Sequence, residues 1–270
     1  MSDLKIGIVG AAGRMGRMLV KQVSETAGCV ISGGTEPAGS PFTGKDITVL
    51  AGLDASGILI GEDPAALFDA ADAVIDFTAP EATIAHARLA AEKGKIHIIG
   101  TTGLTNAQQA QVTACGDRAV IVQGANMSLG VNLLAQLTRK VARILDDEFD
   151  IEILEMHHHH KVDAPSGTAL LLGKAAAAGR GVDHDSVADR GRDGITGARK
   201  RGDIGYAVLR GGNVVGDHTV IFAAENERIE LTHKAGNRSI FARGAVRAAL
   251  WARGKAPGNY DMMDVLGLGD

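Results

Sequence analysis

Lys5-Ile6-Gly7-Ile8-Val9-Gly10-Ala11-Ala12-Gly13-Arg14-Met15-Gly16 is the stretch that decides the fold. A short β-branched run enters a glycine turn of spacing G-x-x-G-x-x-G, and a helical pattern follows. In that context backbone N–H groups at a helix N-terminus can approach the pyrophosphate of a dinucleotide. Gly13 and Gly16 match the last two glycines of the usual fingerprint, and Ala11 stands at the first position. Gly10, Ala11, Ala12, Gly13, Arg14 and Met15 are therefore the candidate phosphate-loop residues. A strand–helix turn that binds nothing is the competing reading. Glu36 lies twenty residues beyond Gly16, just past the next strand, where a carboxylate accepts hydrogen bonds from the adenosine ribose; the alternative is a solvated loop acid.

Outward from this run, Cys29-Val30-Ile31-Ser32, Ala73-Val74-Ile75-Asp76-Phe77, Ile96-His97-Ile98-Ile99 and Ala119-Val120-Ile121-Val122 read as further strands. They alternate with Ala-rich helical stretches, the pattern of βαβ units and a five-stranded parallel sheet. Asp63-Pro64 reads as an N-cap and first helical residue, and Gly94 closes the helix begun near Pro80. Two strand ends, Gly100-Thr101-Thr102-Gly103 and Gly124-Ala125-Asn126-Met127, lie where open α/β sheets take their ligands. Small residues there admit a flat ring, although ordinary loop chemistry gives the same pattern.

From about Ser128 the style changes. A helix over 129–145 leads into the strand Asp150-Ile151-Glu152-Ile153-Leu154-Glu155, and residues 180–203, dense in Gly, Arg and Asp, read as a long surface loop. Strands near 204–210, 213–223 and 227–234 suggest an antiparallel or mixed sheet. Its open face needs cover, and a second copy of the chain supplies it most cheaply. An apolar-striped helix over 239–253 returns to the first domain. The expected organisation is α/β: a Rossmann-type dinucleotide-binding domain, 1–127 completed by 239–270, and a smaller α+β substrate-binding and oligomerisation domain, 128–238.

The 270 residues are 45% hydrophobic and 22% charged, and 28 Lys+Arg against 32 Asp+Glu leave a net charge of −4, which argues against nucleic acid as a partner. Aromatics make up only 3% while Gly reaches 36, so the core is aliphatic and turns are tight. Two distant cysteines and a start without signal-peptide layout point to the cytoplasm. No apolar run is long enough for a membrane span.

The run His157-His158-His159-His160-Lys161 admits three readings: a tag, a metal site, or a proton-transfer site. The run is internal and follows a strand. Adjacent strand residues face opposite ways, so four consecutive histidines cannot all reach one ion, and no metal is expected. A histidine titrating near neutrality, with a lysine four residues on, suits proton transfer. Downstream, Asp163-Ala164-Pro165-Ser166-Gly167-Thr168 opens a helix whose N-terminal donors favour a carboxylate or phosphate; a plain N-cap is the bland alternative. A nucleotide domain joined to proton donors beside an anion cradle describes a reductase of a small carboxylate. A non-catalytic dinucleotide sensor and a metal-dependent enzyme are the rival classes.

Seven motifs in order carry a resemblance over nearly the whole chain. They are the glycine loop, Ile75-Asp76-Phe77-Thr78, Gly100-Thr101-Thr102-Gly103, residues 155–161, residues 162–170, Val215-Gly216-Asp217-His218-Thr219, and residues 244–251. With these the chain resembles the dihydrodipicolinate (4-hydroxy-tetrahydrodipicolinate) reductase family of the diaminopimelate route to lysine. The resemblance implies NADH or NADPH as cofactor, a dicarboxylate cyclic imine as substrate, and a homotetramer built through the second domain's sheet. It also implies His157 as proton donor/acceptor, Lys161 as second proton donor, and His158, Gly167 and Thr168 as substrate-carboxylate contacts. Departures from the family are His159 and Pro37, where relatives often have Arg, and Met127, where some have an aromatic residue. Glu36 followed by Pro37 implies NADH at least as good as NADPH, with Arg14 the one nearby cation for a 2′-phosphate.

Overall fold

The computed structural model describes residues 2–268, which fall into two compact units: one runs to Leu129 and resumes at Ser239, the other is Gly130–Arg238. Met1, Gly269 and Asp270, which end the expected first domain, lie outside the described residues.

The first unit contains β1 (Leu4–Val9), α1 (Arg14–Ser24), β2 (Cys29–Thr35), α2 (Ile47–Leu50), α3 (Pro64–Ala70), β3 (Ala73–Asp76), α4 (Pro80–Lys93), β4 (Ile96–Ile99), α5 (Asn106–Cys115) and β5 (Val120–Gln123). In the second unit stand α6 (Leu129–Ile144), β6 (Asp150–His157), α7 (Gly167–Arg180), α8 (His184–Val187), β7 (Ala188–Asp189), β8 (Ile204–Arg210), β9 (Asp217–Ala223) and β10 (Arg228–Lys234). The chain then completes the first unit with α9 (Ser239–Ala252), β11 (Gly258–Tyr260) and α10 (Met262–Leu266).

The first sheet is parallel throughout, in the order β11-β5-β4-β3-β1-β2. Strand order reverses at β1, which places the glycine loop at a topological switch point. The sheet has six strands, one more than the sequence predicts. Gly258-Asn259-Tyr260 lacks β-branched residues and alternation, and pairing with Val120-Ile121-Val122 makes it a strand. One face packs β1 and α1 with the small-residue side of α9 (Ala242, Ala245, Ala249), the other packs α3, α4 and α5 around Phe68. Local punctuation holds: Asp63 caps α3, and Gly94 ends α4 in the left-handed region at φ 62°.

The second sheet, β10-β9-β6-β8-β7, is mixed: β9 is antiparallel to β6 and β10, while β6, β8 and β7 run parallel. β6 buries alternate residues Ile151, Ile153, Glu155 and His157 and so reaches two residues past its expected end. β9 starts at Asp217 rather than 213, because the carbonyls of Val214 and Gly216 bond outside the ladder, to His158 and Ala235. Residues 180–203, expected as a long surface loop, are largely irregular and exposed from 190 onward but are more ordered than that reading implies. They include α8 and β7, and Arg192 and Arg199 clamp the segment to Glu152 and Asp150 of β6. Charge density that reads as solvated is here paired with acids on the sheet. No helix among the described residues is long and apolar enough to cross a membrane.

Candidate active site

In the second unit the period-2 geometry of β6 puts Glu155 and His157 side by side on the inner face, 1% and 8% exposed. His157 Nδ1 lies 2.6 Å from Glu155 Oε2. Arg210 donates to both oxygens of that carboxylate, at 2.8 and 3.0 Å, and the Ser166 N–H donates at 3.0 Å. Burial opposes ionisation of Glu155, but the Arg210 fork, the His157 ring and the Ser166 N–H outweigh it and hold its pKa below the ordinary carboxylate value. An ionised Glu155 requires the proton on Nδ1, which leaves Nε2 as the reactive nitrogen. A Cβ on Gly216 would stand 2.9 Å from that Nε2, so glycine keeps this side open.

His218 pairs across the ladder with Glu155 and sets its ring edge-on to His157, centroids 5.0 Å apart. Burial first, then the neighbouring His157, lowers its pKa to about 4. Its Nε2 lies 2.9 Å from Ser166 Oγ, and that hydroxyl also accepts the Ala169 N–H as N-cap of α7. Ser166 is thereby committed to structure. Gly167 and Thr168 occupy the first two helical positions, where backbone N–H groups point out of the helix end.

Past β6 the histidines diverge. His158 donates its N–H to Val214 O at 2.7 Å, and burial, then Arg238 and the neighbouring cations, lower the pKa of its ring. His159 Nδ1 lies 3.0 Å from Gly212 O, and its ring is tilted at 49° against that of His160, centroids 3.8 Å apart. A turn from Lys161 N–H to His158 O brings Lys161 back, and its ammonium donates to Asp163 at 2.7 Å.

The first unit holds the remaining expected residues. Gly10 adopts φ +68°, and a Cβ on Gly16 would stand 2.2 Å from Gly10 O, so glycine is required at both places. The N–H groups of Gly10 and Ala11 bond Thr35 O, that of Gly13 bonds Gly10 O, and that of Ala12 donates to Glu36 Oε1 at 2.7 Å. Among the described residues this leaves the N–H groups of Arg14, Met15 and Gly16 without acceptors at the uncapped start of α1. Three open donors beside a ribose-type carboxylate fit a dinucleotide. Thr101, Thr102, Gly103 and Ala125 line a cavity of about 500 Å³ with Tyr260 and Asp264. The Gly100 backbone packs on Phe77, and Asn126 Oδ1 accepts the Ser128 N–H. The side chain of Thr101 turns inward to Asp76, and that of Met127 is buried in the core. Among the described residues the one group of three metal-type side chains with donor atoms close together is Asp76, His86 and His97.

Residues 4–127 match the family model for dihydrodipicolinate reductase, N-terminus, and residues 130–266 that for dihydrodipicolinate reductase, C-terminus. The chain belongs to this family. The 4-hydroxy-tetrahydrodipicolinate reductase of Rhodopseudomonas palustris (strain BisB5) is 59% identical over 270 residues, covering 100% of both chains. That of Bradyrhizobium diazoefficiens is 56% identical over 270 residues, again covering 100% of both. A solved structure described as dipicolinate-bound dihydrodipicolinate reductase from Paenisporosarcina sp. TG-14 shares the fold, with a TM-score of 0.75, 22% identity, and coverage of 97% of this chain and 98% of that one. As a dihydrodipicolinate reductase family member the chain is an oxidoreductase that uses a nicotinamide cofactor, and the sensor reading is not favoured.

Sequence reasoning paired His157 with Lys161 and missed Glu155, Arg210 and His218 as its neighbours. The signal was present for Glu155: Ile151, Ile153 and Glu155 share one face of β6, so an acid occupies an apolar position. Arg210 offered none, because only the β6–β8 register brings it opposite His157.

The depressed pKa of His218 fixes a pH dependence. Below its ordinary 6.5 the unfolded chain takes up a proton that the folded chain refuses down to about 4. The stability contributed is full above 6.5 and lost as pH falls through that window. Glu155 acts in the same direction at lower pH, below the ordinary carboxylate range. Calorimetry of His218→Asn should show a flatter fall of Tm between these two pH values than in wild type; an unchanged slope would contradict the assignment.

Proposed function

We propose that this reductase converts 4-hydroxy-2,3,4,5-tetrahydrodipicolinate, or its dehydrated form dihydrodipicolinate, to tetrahydrodipicolinate, with His157 as proton donor. The observation carrying this reading is the buried Glu155–His157 pair beside the start of α7. The bound nicotinamide supplies hydride. In the first unit the start of α1 holds the pyrophosphate, Glu36 the adenosine ribose, and the turns at 100–103 and 124–127 the nicotinamide end. In the second unit, His158 with Gly167 and Thr168 binds the substrate carboxylates. The 4-hydroxy compound first loses water to give the conjugated imine; hydride entering at C4 leaves an electron-rich enamine, and His157 Nε2 delivers a proton to the carbon next to C4. Glu155 fixes the ring through its Nδ1, and Lys161, held by Asp163, is the second donor. Dipicolinate, named in the description of the Paenisporosarcina structure, is a planar dicarboxylate and supports this substrate class.

His157→Gln should lower kcat by about 10²–10⁴-fold with an unchanged dissociation constant for NADH. Thr168→Val, in the same nicotinamide-absorbance assay, should raise KM for the dicarboxylate. Wild-type turnover by the His157 variant would remove it from the mechanism.

NADH is proposed to serve at least as well as NADPH. The Ala12 N–H pins the Glu36 carboxylate beside the loop, where it accepts from ribose hydroxyls and repels a 2′-phosphate, and Pro37 brings no cation. Arg14 is exposed and is the one opposing charge on the loop. At matched ionic strength kcat/KM should be equal or higher with NADH. A tenfold preference for NADPH, about 1.4 kcal/mol, would overturn the reading.

Assembly as a homotetramer through the second sheet is proposed from its outer face, where Leu154, Met156 and Ile221 alternate with buried positions, Ala207 is exposed and Leu209 is 47% exposed. Light scattering on eluting protein should give four chain masses, reduced by Leu209→Glu; a monomeric wild type would refute it.

A further inference from the structure

Asp76 ends β3 and is fully buried, yet it takes no part in the chemistry proposed above. Its Oδ1 accepts the Thr78 N–H at 2.9 Å, the Thr78 hydroxyl at 2.6 Å and the Thr101 hydroxyl at 3.2 Å. On the other oxygen, His86 Nδ1 lies at 2.8 Å and His97 Nε2 at 3.3 Å. Thr83 of α4 in turn donates its hydroxyl to Thr101 at 2.8 Å. An aliphatic side chain would fill this space more cheaply than a desolvated carboxylate. The carboxylate adds connections: it ties β3, α4 and β4 to two turns at the strand ends.

Both turns touch the expected cofactor surface. Thr78 Cγ2 would lie 3.1 Å from a Cβ on Gly10 of the glycine loop, and the Phe77 ring would lie 2.3 Å from a Cβ on Gly100. Thr101, anchored through its side chain, lines the cavity with Thr102 and Gly103.

The same three side chains have metal-ligand character, and one orphaned atom argues against an ion. His97 Nδ1 is buried with no partner among the described residues. If Nε2 ligated a metal, the ring proton would sit on Nδ1 and leave a buried N–H unsatisfied, whereas metal-bound histidines ordinarily donate that proton to a partner. If Nε2–H donates to Asp76, Nδ1 holds only a lone pair, and an unpaired acceptor is the better-tolerated case. Burial also lowers the pKa of His97, in keeping with a neutral ring.

We propose that Asp76 is a positioning residue that locks the turns carrying Thr78 and Thr101 into the shape that receives the nicotinamide end of the cofactor. The proposal rests on the reading of the first unit as the cofactor site. Asp76→Asn risks misfolding, so the decisive pair is Thr101→Val, which keeps shape and loses the hydroxyl, against Thr101→Ser, which restores it. NADH dissociation constants from protein fluorescence, and KM values for both substrates, should separate the two. Thr101→Val should weaken NADH binding about tenfold, the scale of one lost hydrogen bond to a charged group, with KM for the dicarboxylate unchanged, and Thr101→Ser should return it to about wild type. A merely structural threonine would lower Tm in the valine variant without that split. Equal NADH affinity in the two variants overturns the anchor alone, whereas a wild type that binds neither NADH nor NADPH overturns the cofactor reading as well. One tightly bound metal per chain, lost in His97→Leu, overturns the hydrogen-bonded reading of the cluster.

Discussion

A carboxylate taken out of water at the end of a strand must collect donors from every element around it, and this constraint shapes both units. Desolvation of an ionised acid costs several kcal/mol or more unless hydrogen bonds replace the lost water. Glu155 meets the condition with Arg210 from β8, His157 from its own strand and the N–H of Ser166 at the start of α7. Asp76 meets it with two histidines and two threonines. In each case one charge fixes the relative positions of three elements where the chain leaves the sheet. Strand ends are otherwise the least determined parts of a sheet, and the expected ligand contacts lie there.

The two helix starts show how local sequence divides the work. The N-cap of α1 is Gly13, which has no side chain to cap with, so three N–H groups remain for an outside acceptor. α7 begins at Ser166, whose hydroxyl takes the Ala169 N–H, so fewer donors remain. The first arrangement suits a doubly charged pyrophosphate and the second a single carboxylate. The Ser166 cap also gives His218 a partner and links the helix start to the sheet that carries His157.

What could be read from the sequence was whatever short-range rules control. β-branched runs bounded by turn residues marked β1, β3, β4 and β5, and the glycine spacing marked the loop, because backbone sterics leave no other residue for Gly10 and Gly16. Long-range pairing was hidden. β11 is a strand by virtue of β5 alone, and Arg210 reaches Glu155 through a register that local pattern cannot encode. The arginines of 190–203 misled for the same reason, since a charged segment reads as solvated until the acids that pair with it are known. Thr101 and Met127 were legible in position and not in direction: both stand at strand ends, and both turn their side chains inward.

A net charge of −4 is an unpromising background for a protein whose proposed cofactor and substrate are both anions. The field of the whole molecule repels them weakly, and salt screens it beyond about 8–10 Å. Attraction therefore has to be local, and the structure supplies it at contact distance: the uncapped start of α1, the backbone N–H groups at the start of α7 and the Lys161 ammonium. Because these donors act at contact distance in partly desolvated surroundings, their strength depends on placement more than on ionic strength. Placement is what the buried carboxylates provide. Glu155 and Asp76 sit behind the proposed contact surfaces, carry charge of the wrong sign for the ligands, and are tolerable there because Arg210 neutralises the first and hydrogen-bond donors surround the second. The acids that would repel a ligand in the open instead hold in position the groups that bind it.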